Sequence, residues 1–248
     1  TKEDVAKELP EKTEDVIYCD MGKDQRKVYD FFKDKYRDYL LNKIDENGVA
    51  KSQMYILEGL TKLRQICNST ALINEEEDYG NFSVKSEILL EHIKEKTGQH
   101  KILVFSQFVK MLQIIKTRLE EENISYEYLD GQTKDRQARV DNFQQNKEVR
   151  VFLISLKAGG TGLNLTEADY VYIVDPWWNP AVENQAIDRC YRIGQNKKVM
   201  AYRMICNDTI EEKIVSLQSK KKKVAASIIS VDEEKKSFDL DEVKNLFR

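Results

Sequence analysis

From Val84 onward, short apolar runs alternate with amphipathic stretches, and this alternation leaves the chain few architectures. "KILVFS", "VRVFLIS" and "DYVYIVD" are too short for buried helices and too evenly apolar for half-exposed strands. They read as strands covered on both faces. "SYEYLD" and "VMAYRMI" add two more strands. Between them, "FVKMLQIIKTRLEEE" and "KDRQARVDNFQ" carry the helical period. Strands alternating with helices imply an α/β fold, a parallel sheet with helices on both faces. In such a sheet ligands gather at the carboxyl ends of the strands. "LKAGGTGLNLTEA" and "PWWNP" both follow strands directly, so both belong at that edge.

Residues 1–84 read as helical. "DQRKVYDFFKDKYRDYLLNKI" sets Val28, Phe31, Phe32, Tyr36, Tyr39 and Leu40 on one helix face. "SQMYILEGLTKLRQIC" does the same with Leu57, Leu60, Leu63 and Cys67, and "DENG" between them predicts a turn. At the other end, Thr209 and Glu212 form a capping box that opens a last helix running into Lys220–Lys223. That lysine run suits a solvated helix end or a phosphate contact.

The net charge is −3, from 40 basic and 43 acidic residues, so any nucleic-acid contact must be a local patch. The four cysteines form no C-x-x-C pair and the two histidines, His92 and His100, have no cluster around them. Metal-ligand spacing is absent, and scattered cysteines suit a reducing compartment. No apolar run reaches the roughly 18 residues of a membrane span. The polar start "TKEDVAKELP" does not read as a signal peptide, and without an initiator Met it reads as a cut through a longer chain.

Three motifs carry candidate chemistry. "KAGGTGLN" places three glycines in four positions, which lets backbone approach a phosphate. It is not a P-loop, since no Lys-Ser or Lys-Thr follows, and Leu165 stands where a dinucleotide fingerprint needs glycine. A flexible turn is the alternative. Asn179-Pro180 predicts a helix start, and the four-and-three spacing of Gln185, Arg189 and Arg192 predicts one stripe on that helix. The stripe is either a solvated face or a polyphosphate contact, since Arg offers planar paired donors. Trp177 and Trp178 are either core anchors or one anchor and one exposed ring that can stack on a base.

Taken in order, "KILVFSQF", "YLDGQT", "FLISLKAGGTGLNLTEADYVYIVDPWWNP" and "QAIDRCYRIGQ" resemble the C-terminal motor lobe of the Swi/Snf-like remodelling ATPases of helicase superfamily two. The strong match covers about residues 85–215. "ELPEKTEDVIYCDM" and "LRQICNSTALI" resemble that family's inter-lobe segment and helical protrusion. Two departures stand out: Asn68-Ser69-Thr70 replaces Asn-His-Pro, and Cys190-Tyr191 replaces Ala-His between the two arginines. The resemblance implies three parts: an inter-lobe segment and protrusion over 1–84, a RecA-like lobe over 85–207, and a brace helix with tail over 208–248.

The resemblance also implies a function: ATP-driven translocation on double-stranded DNA, with ATP and Mg closed between two lobes. The Mg would be held mainly by a first lobe of the same parent chain, which also brings the P-loop. Arg189 and Arg192 match the arginine fingers, with Gln185, Gly162 and Asn164 near the nucleotide. Ser106, Gln107, Phe108, Thr133, Ser155, Lys157 and Trp178 match the DNA track. A DNA-bound protein is a further possible substrate, and a membrane is not a partner. The site would be cytoplasmic and nucleoid-associated in a bacterium, nuclear in a eukaryote. Two other readings compete: a docking module for DNA or a partner without turnover, and a self-contained nucleotide enzyme. The missing P-loop and dinucleotide fingerprint weigh against the second.

Overall fold

The computed structural model describes residues 9–73, 77–159, 162–177, 179–216, 218 and 246, with side chains of 40–53 left aside. These divide into two compact units. One joins the residues up to Cys19 with Lys85–Ile205, and the other joins Asp20–Val84 with the residues from Cys206 on.

The first unit holds a six-stranded sheet. Its strands are β1 (Lys12–Cys19), β2 (Ile102–Ser106), β3 (Tyr126–Leu129), β4 (Val151–Ser155), β5 (Tyr170–Ile173) and β6 (Val199–Cys206), in the order β1-β6-β5-β2-β4-β3. Pairing is parallel between β2 and β4, β2 and β5, β3 and β4, and β5 and β6. All five strands expected from the alternating pattern form. Every residue of β2 and β4 is buried, as an inner parallel strand requires. The chain builds one side of β2 with β3 and β4, then crosses to build the other with β5 and β6. That reversal makes the carboxyl edge near β2 the expected ligand crevice.

Helices α2 (Val84–Lys96), α3 (Val109–Glu121), α4 (Arg136–Gln145) and α6 (Pro180–Ile187) cover the sheet, and α5 (Leu156–Gly159) is a single turn after β4. Helix α3 buries Met111, Leu112, Ile115 and Leu119, the stripe its sequence spaces at one, three and four residues. One sheet face packs Leu103, Phe105, Phe152, Ile154, Val171 and Ile173 against Val140, Phe143, Ala186 and Ile187. Each large side chain there contributes about 1.5–3 kcal/mol by leaving water.

The second unit is built on α1 (Lys23–Asn68), one helix of 46 residues. The turn expected at "DENG" does not break it. No proline lies between 23 and 68, and a single glycine costs only about 1 kcal/mol in a helix. The buried faces also differ from those expected. Gln25, Tyr29 and Phe32 are buried while Phe31 and Tyr39 are exposed; Ile56, Leu60, Leu63 and Cys67 are buried while Leu57 is exposed. The inner stripe thus includes a glutamine. Gln25 donates to Ile66 O at 2.8 Å and accepts from Val84 N at 3.0 Å, which satisfies its amide inside the core.

Residues 12–19 depart furthest from expectation. They were expected within a helical segment over 1–84 and instead form the sheet's edge strand beside β6. Val16, Ile17 and Tyr18 favour a strand, while Lys12, Glu14 and Asp15 keep this edge strand charged. The capping box also shifts by one residue. Thr209 Oγ1 accepts from Glu211 N, and Glu212 accepts from Asp208 N rather than from Thr209. The brace beyond 216, apart from residues 218 and 246, and Lys220–Lys223 lie outside the described residues.

Candidate nucleotide and DNA site at the carboxyl edge of the sheet

Ser106 and Ser155 are register partners at the carboxyl ends of β2 and β4. Both are buried, and both hydroxyls turn inward. Ser106 Oγ donates to Asp175 Oδ1 at 2.5 Å and accepts from Phe108 N at 3.0 Å. Asp175, fully buried after β5, also accepts from Gln107 N at 3.1 Å. One carboxylate therefore fixes the turn that presents Gln107 and Phe108, both half-buried. Ser155 Oγ accepts from Ala158 N at 3.2 Å and so starts α5, which leaves Lys157 exposed. Thr133 closes the turn after β3, exchanging hydrogen bonds with Asp130 at 3.0 and 3.2 Å.

The other half of the edge is built on α6. Asn179 caps it by accepting from Ala181 N at 3.0 Å, with Pro180 in its first turn, as the sequence predicts. The helix ends at Ile187, earlier than expected. Arg189 and Arg192 therefore lie in the turns that follow, and helical spacing does not align them with Gln185. What aligns them is backbone. Leu165 N donates to Arg189 O at 2.9 Å, and Arg192 Nη1 donates to Leu163 O at 3.3 Å. These bonds hold the segment carrying Gly162 and Asn164 against the segment carrying both arginines. Gly162, Asn164, Gln185 and Arg192 are exposed, and Arg189 is half-buried. Gly162 has φ +55° and Gly194 φ +100°, conformations that side chains disfavour. Trp178 lies outside the described residues, whereas Trp177 is half-buried.

Four residues in this framework were not singled out by sequence reasoning. Glu183, fully buried on α6, accepts from Trp177 N at 2.7 Å and from Arg203 Nε at 2.6 Å. Arg203 reaches on to Glu14 of β1 at 3.1 Å. Burial opposes the Arg203 charge, but Glu183 and Glu14 outweigh it and hold its pKa above the ordinary range. Gln195 is buried and donates to Ala168 O at 2.8 Å and Cys190 O at 3.2 Å, tying the arginine segment to the loop before β5. A buried charge on an amphipathic helix, such as Glu183, leaves no periodic signal. Gln195 and Asp175 stood inside recognisable motifs without a role of their own. Between the arginines, Cys190 is buried in the core and Lys12 sits 5.4 Å from the Tyr191 ring.

In chemical terms the edge offers two guanidiniums and an exposed lysine, a cationic surface suited to phosphate. No described helix is long and apolar enough to cross a membrane.

Residues 84–194 match the helicase conserved C-terminal domain, and residues 1–72 match the SNF2-related domain. An uncharacterized ATP-dependent helicase of Mycoplasma genitalium is 37% identical over 252 residues, covering 100% of this chain and 24% of that protein. The chain thus spans about a quarter of the length of the curated relatives it matches. Among solved structures, the C-terminal domain of a Sulfolobus solfataricus SWI2/SNF2 ATPase is 33% identical with a TM-score of 0.69, covering 90% of this chain and 92% of that one. The ATPase core from the same organism, solved in complex with double-stranded DNA, is 34% identical with a TM-score of 0.72, covering 89% of this chain and 46% of that one. Two domain matches in family order and a solved lobe matched along nearly its whole length lead to one assignment: the chain belongs to the Swi/Snf-like ATPases of helicase superfamily two and carries their C-terminal RecA-like lobe.

Proposed function

We propose that this chain is the second motor lobe of an ATP-dependent translocase on double-stranded DNA, with Arg189 and Arg192 as its arginine fingers. The observation that carries the reading is the pair of bonds from Leu165 N to Arg189 O and from Arg192 to Leu163 O. They join the glycine-rich loop to the arginines at the sheet edge where an α/β fold binds ligands. A solved relative bound to double-stranded DNA supports the substrate. In hydrolysis, water attacks the γ-phosphorus as the bond to the ADP oxygen breaks. Arg189 and Arg192 would meet the charge that develops on the γ-phosphoryl oxygens. Gln185, Gly162 and Asn164 would border the nucleotide.

Gln107, Phe108, Thr133, Lys157 and Trp178 would face the DNA backbone. Ser106 and Ser155 would act from beneath, by holding the turns that present them. Contacts of this kind read phosphate rather than base edges, so binding would show no sequence preference. Magnesium would shield phosphate charge during hydrolysis. Asp175 and Glu183, the buried carboxylates at this edge, are turned to backbone N–H groups, Ser106 and Arg203. They do not fit a magnesium site, which accords with a metal held by the first lobe.

The test is steady-state ATPase with and without duplex DNA, on the full-length parent and on this chain alone. The parent should be DNA-stimulated and this chain silent. Arg189→Ala and Arg192→Ala should each lower kcat of the parent on the order of 10³-fold, with a smaller change in KM. If both variants kept kcat near wild type, the fingers would lie elsewhere.

A further inference from the structure

Within the helical unit, three metal-capable side chains meet in the core. Cys67 ends α1, Cys206 ends β6, and Glu211 lies in the first turn of the helical stretch 210–216. All three are fully buried, and their two sulfurs and a carboxylate oxygen all lie within 4.8 Å of one another. They are the one such group among the described residues. Cys67 and Cys206 are 139 positions apart, so no local motif announces them.

We propose that Cys67, Cys206 and Glu211 form a zinc-binding site. Tetrahedral zinc, with bonds of about 2.3 Å to sulfur and about 2.0–2.2 Å to carboxylate oxygen, sets its donors roughly 3.5–4 Å apart. Donors already within 4.8 Å reach that spacing with small side-chain shifts. Two thiolates and a carboxylate select a borderline-soft ion over magnesium or calcium, which favour all-oxygen sites.

The surroundings fit as well. Cys206 N donates to Glu211 Oε2 at 3.0 Å and so fixes the carboxylate, the role outer hydrogen bonds play around a metal. Tyr29 stands beside the trio: its hydroxyl accepts from Ile210 N at 2.7 Å. Three protein donors leave a fourth position for water. Binding would release the thiol protons and clip the start of the C-terminal helix to the end of α1, stabilising only the folded chain.

The test uses the full chain, purified reduced and without added metal, then titrated with zinc or cobalt alone. Expected are about one zinc per chain, a thiolate-to-cobalt charge-transfer band, and a rise in Tm on zinc addition. C206S and E211Q should each weaken zinc binding about tenfold or more, by the scale on which metal sites respond to altered ligation. C190S, a buried cysteine of the sheet unit, should bind as wild type. Cobalt binding to the unmutated chain without the charge-transfer band would overturn the proposal, whether or not the variants fold. So would equal zinc uptake by wild type and a C67S/C206S double variant. A mass lower by about two hydrogens in the native chain, mapped to a Cys67–Cys206 disulfide that persists in reductant, would overturn it too.

Discussion

Arg203 on β6 donates its Nε–H at 2.6 Å to the fully buried carboxylate of Glu183 on α6. This pair joins the last strand of the sheet to the helix that leads into the arginine segment. Its partner Glu14 lies on β1, so three elements distant in sequence share one guanidinium.

Removing Arg203 should therefore damage the lobe far more than removing a surface charge. Arg203→Ala leaves Glu183 with only the Trp177 amide, an uncompensated buried charge that costs about 3–5 kcal/mol. Glu14→Gln, at the partly exposed end, should cost under about 1 kcal/mol. Burial pushes the Glu14 carboxyl up, but Lys12 and Arg203 together outweigh it and hold its pKa below 4.5. As pH falls, the unfolded chain takes up this proton before the folded one. The contribution of Glu14 is thus present above pH 4.5 and fades as pH falls through its lower folded value. Urea denaturation of wild type and Glu14→Gln from pH 7 downward should show the two curves converging.

Two glycines of the segment after β4 should fail for different reasons. At Gly159 an added Cβ would stand 2.9 Å from the ring of buried Phe105, so Gly159→Ala should cost about 1–3 kcal/mol through overpacking. At Gly162 nothing lies within 4 Å of an added Cβ, but φ is +55°. Gly162→Ala should cost about 1–2 kcal/mol from backbone strain alone. Gly162→Asn should recover most of that loss, because asparagine tolerates the left-handed region. Asparagine at 159 should do no better than alanine. Thermal melts of the four variants separate the two causes.

Ser106→Ala should loosen the turn after β2 without unfolding the lobe. Asp175 would lose one donor while keeping that from Gln107 N, and Phe108 N would lose its acceptor. A loss of about 1–3 kcal/mol follows from buried groups left short of partners. Native-state hydrogen exchange should show the Phe108 amide deprotected well beyond the global change. Uniform deprotection would mean that the serine only packs.

Cys190 should be inert in the folded chain. Burial pushes its thiol up to about 12, and only a thiolate alkylates readily. Mass spectrometry after iodoacetamide at pH 8 should find Cys190 unmodified until denaturant is added. The raised value also sets a sign. Stability linked to this thiol is fully present below the unfolded thiol range and declines as pH rises from there toward 12, where the unfolded chain loses the proton first.

The sheet was readable because inner parallel strands bury both faces, and runs such as Val151–Ser155 have no second interpretation at that length. The edge strand was not. Lys12, Glu14 and Asp15 mask its β-branched residues, and what recruits it is a partner, Arg203, almost 190 positions away. Faces of α1 slipped by one residue at Phe31 and Phe32, because both are aromatic and only packing decides between them. At the candidate site the motifs named segments that the structure brings together, but the mechanism of their alignment differs. Helical spacing was expected to gather Gln185, Arg189 and Arg192. The helix stops at Ile187, and hydrogen bonds to Leu163 and Leu165 gather the two arginines instead. Such long-range bonds to backbone carbonyls have no sequence period, and neither does the cluster of Cys67, Cys206 and Glu211.

The edge position of β1 bears on how this lobe can be produced in pieces. The change of pattern at residue 84 invites a fragment that begins there, yet such a fragment would strip β6 of its neighbour. The bare amides and carbonyls of an eight-residue strand would then template pairing with other molecules. Arg203 would also lose Glu14 at that same rim. A fragment starting at 85 should precipitate or form β-rich oligomers, whereas one carrying residues 9–19 on a flexible tether should stay monomeric. The strand is a removable seal, and supplying it as a separate peptide should rescue the truncated lobe by β-augmentation.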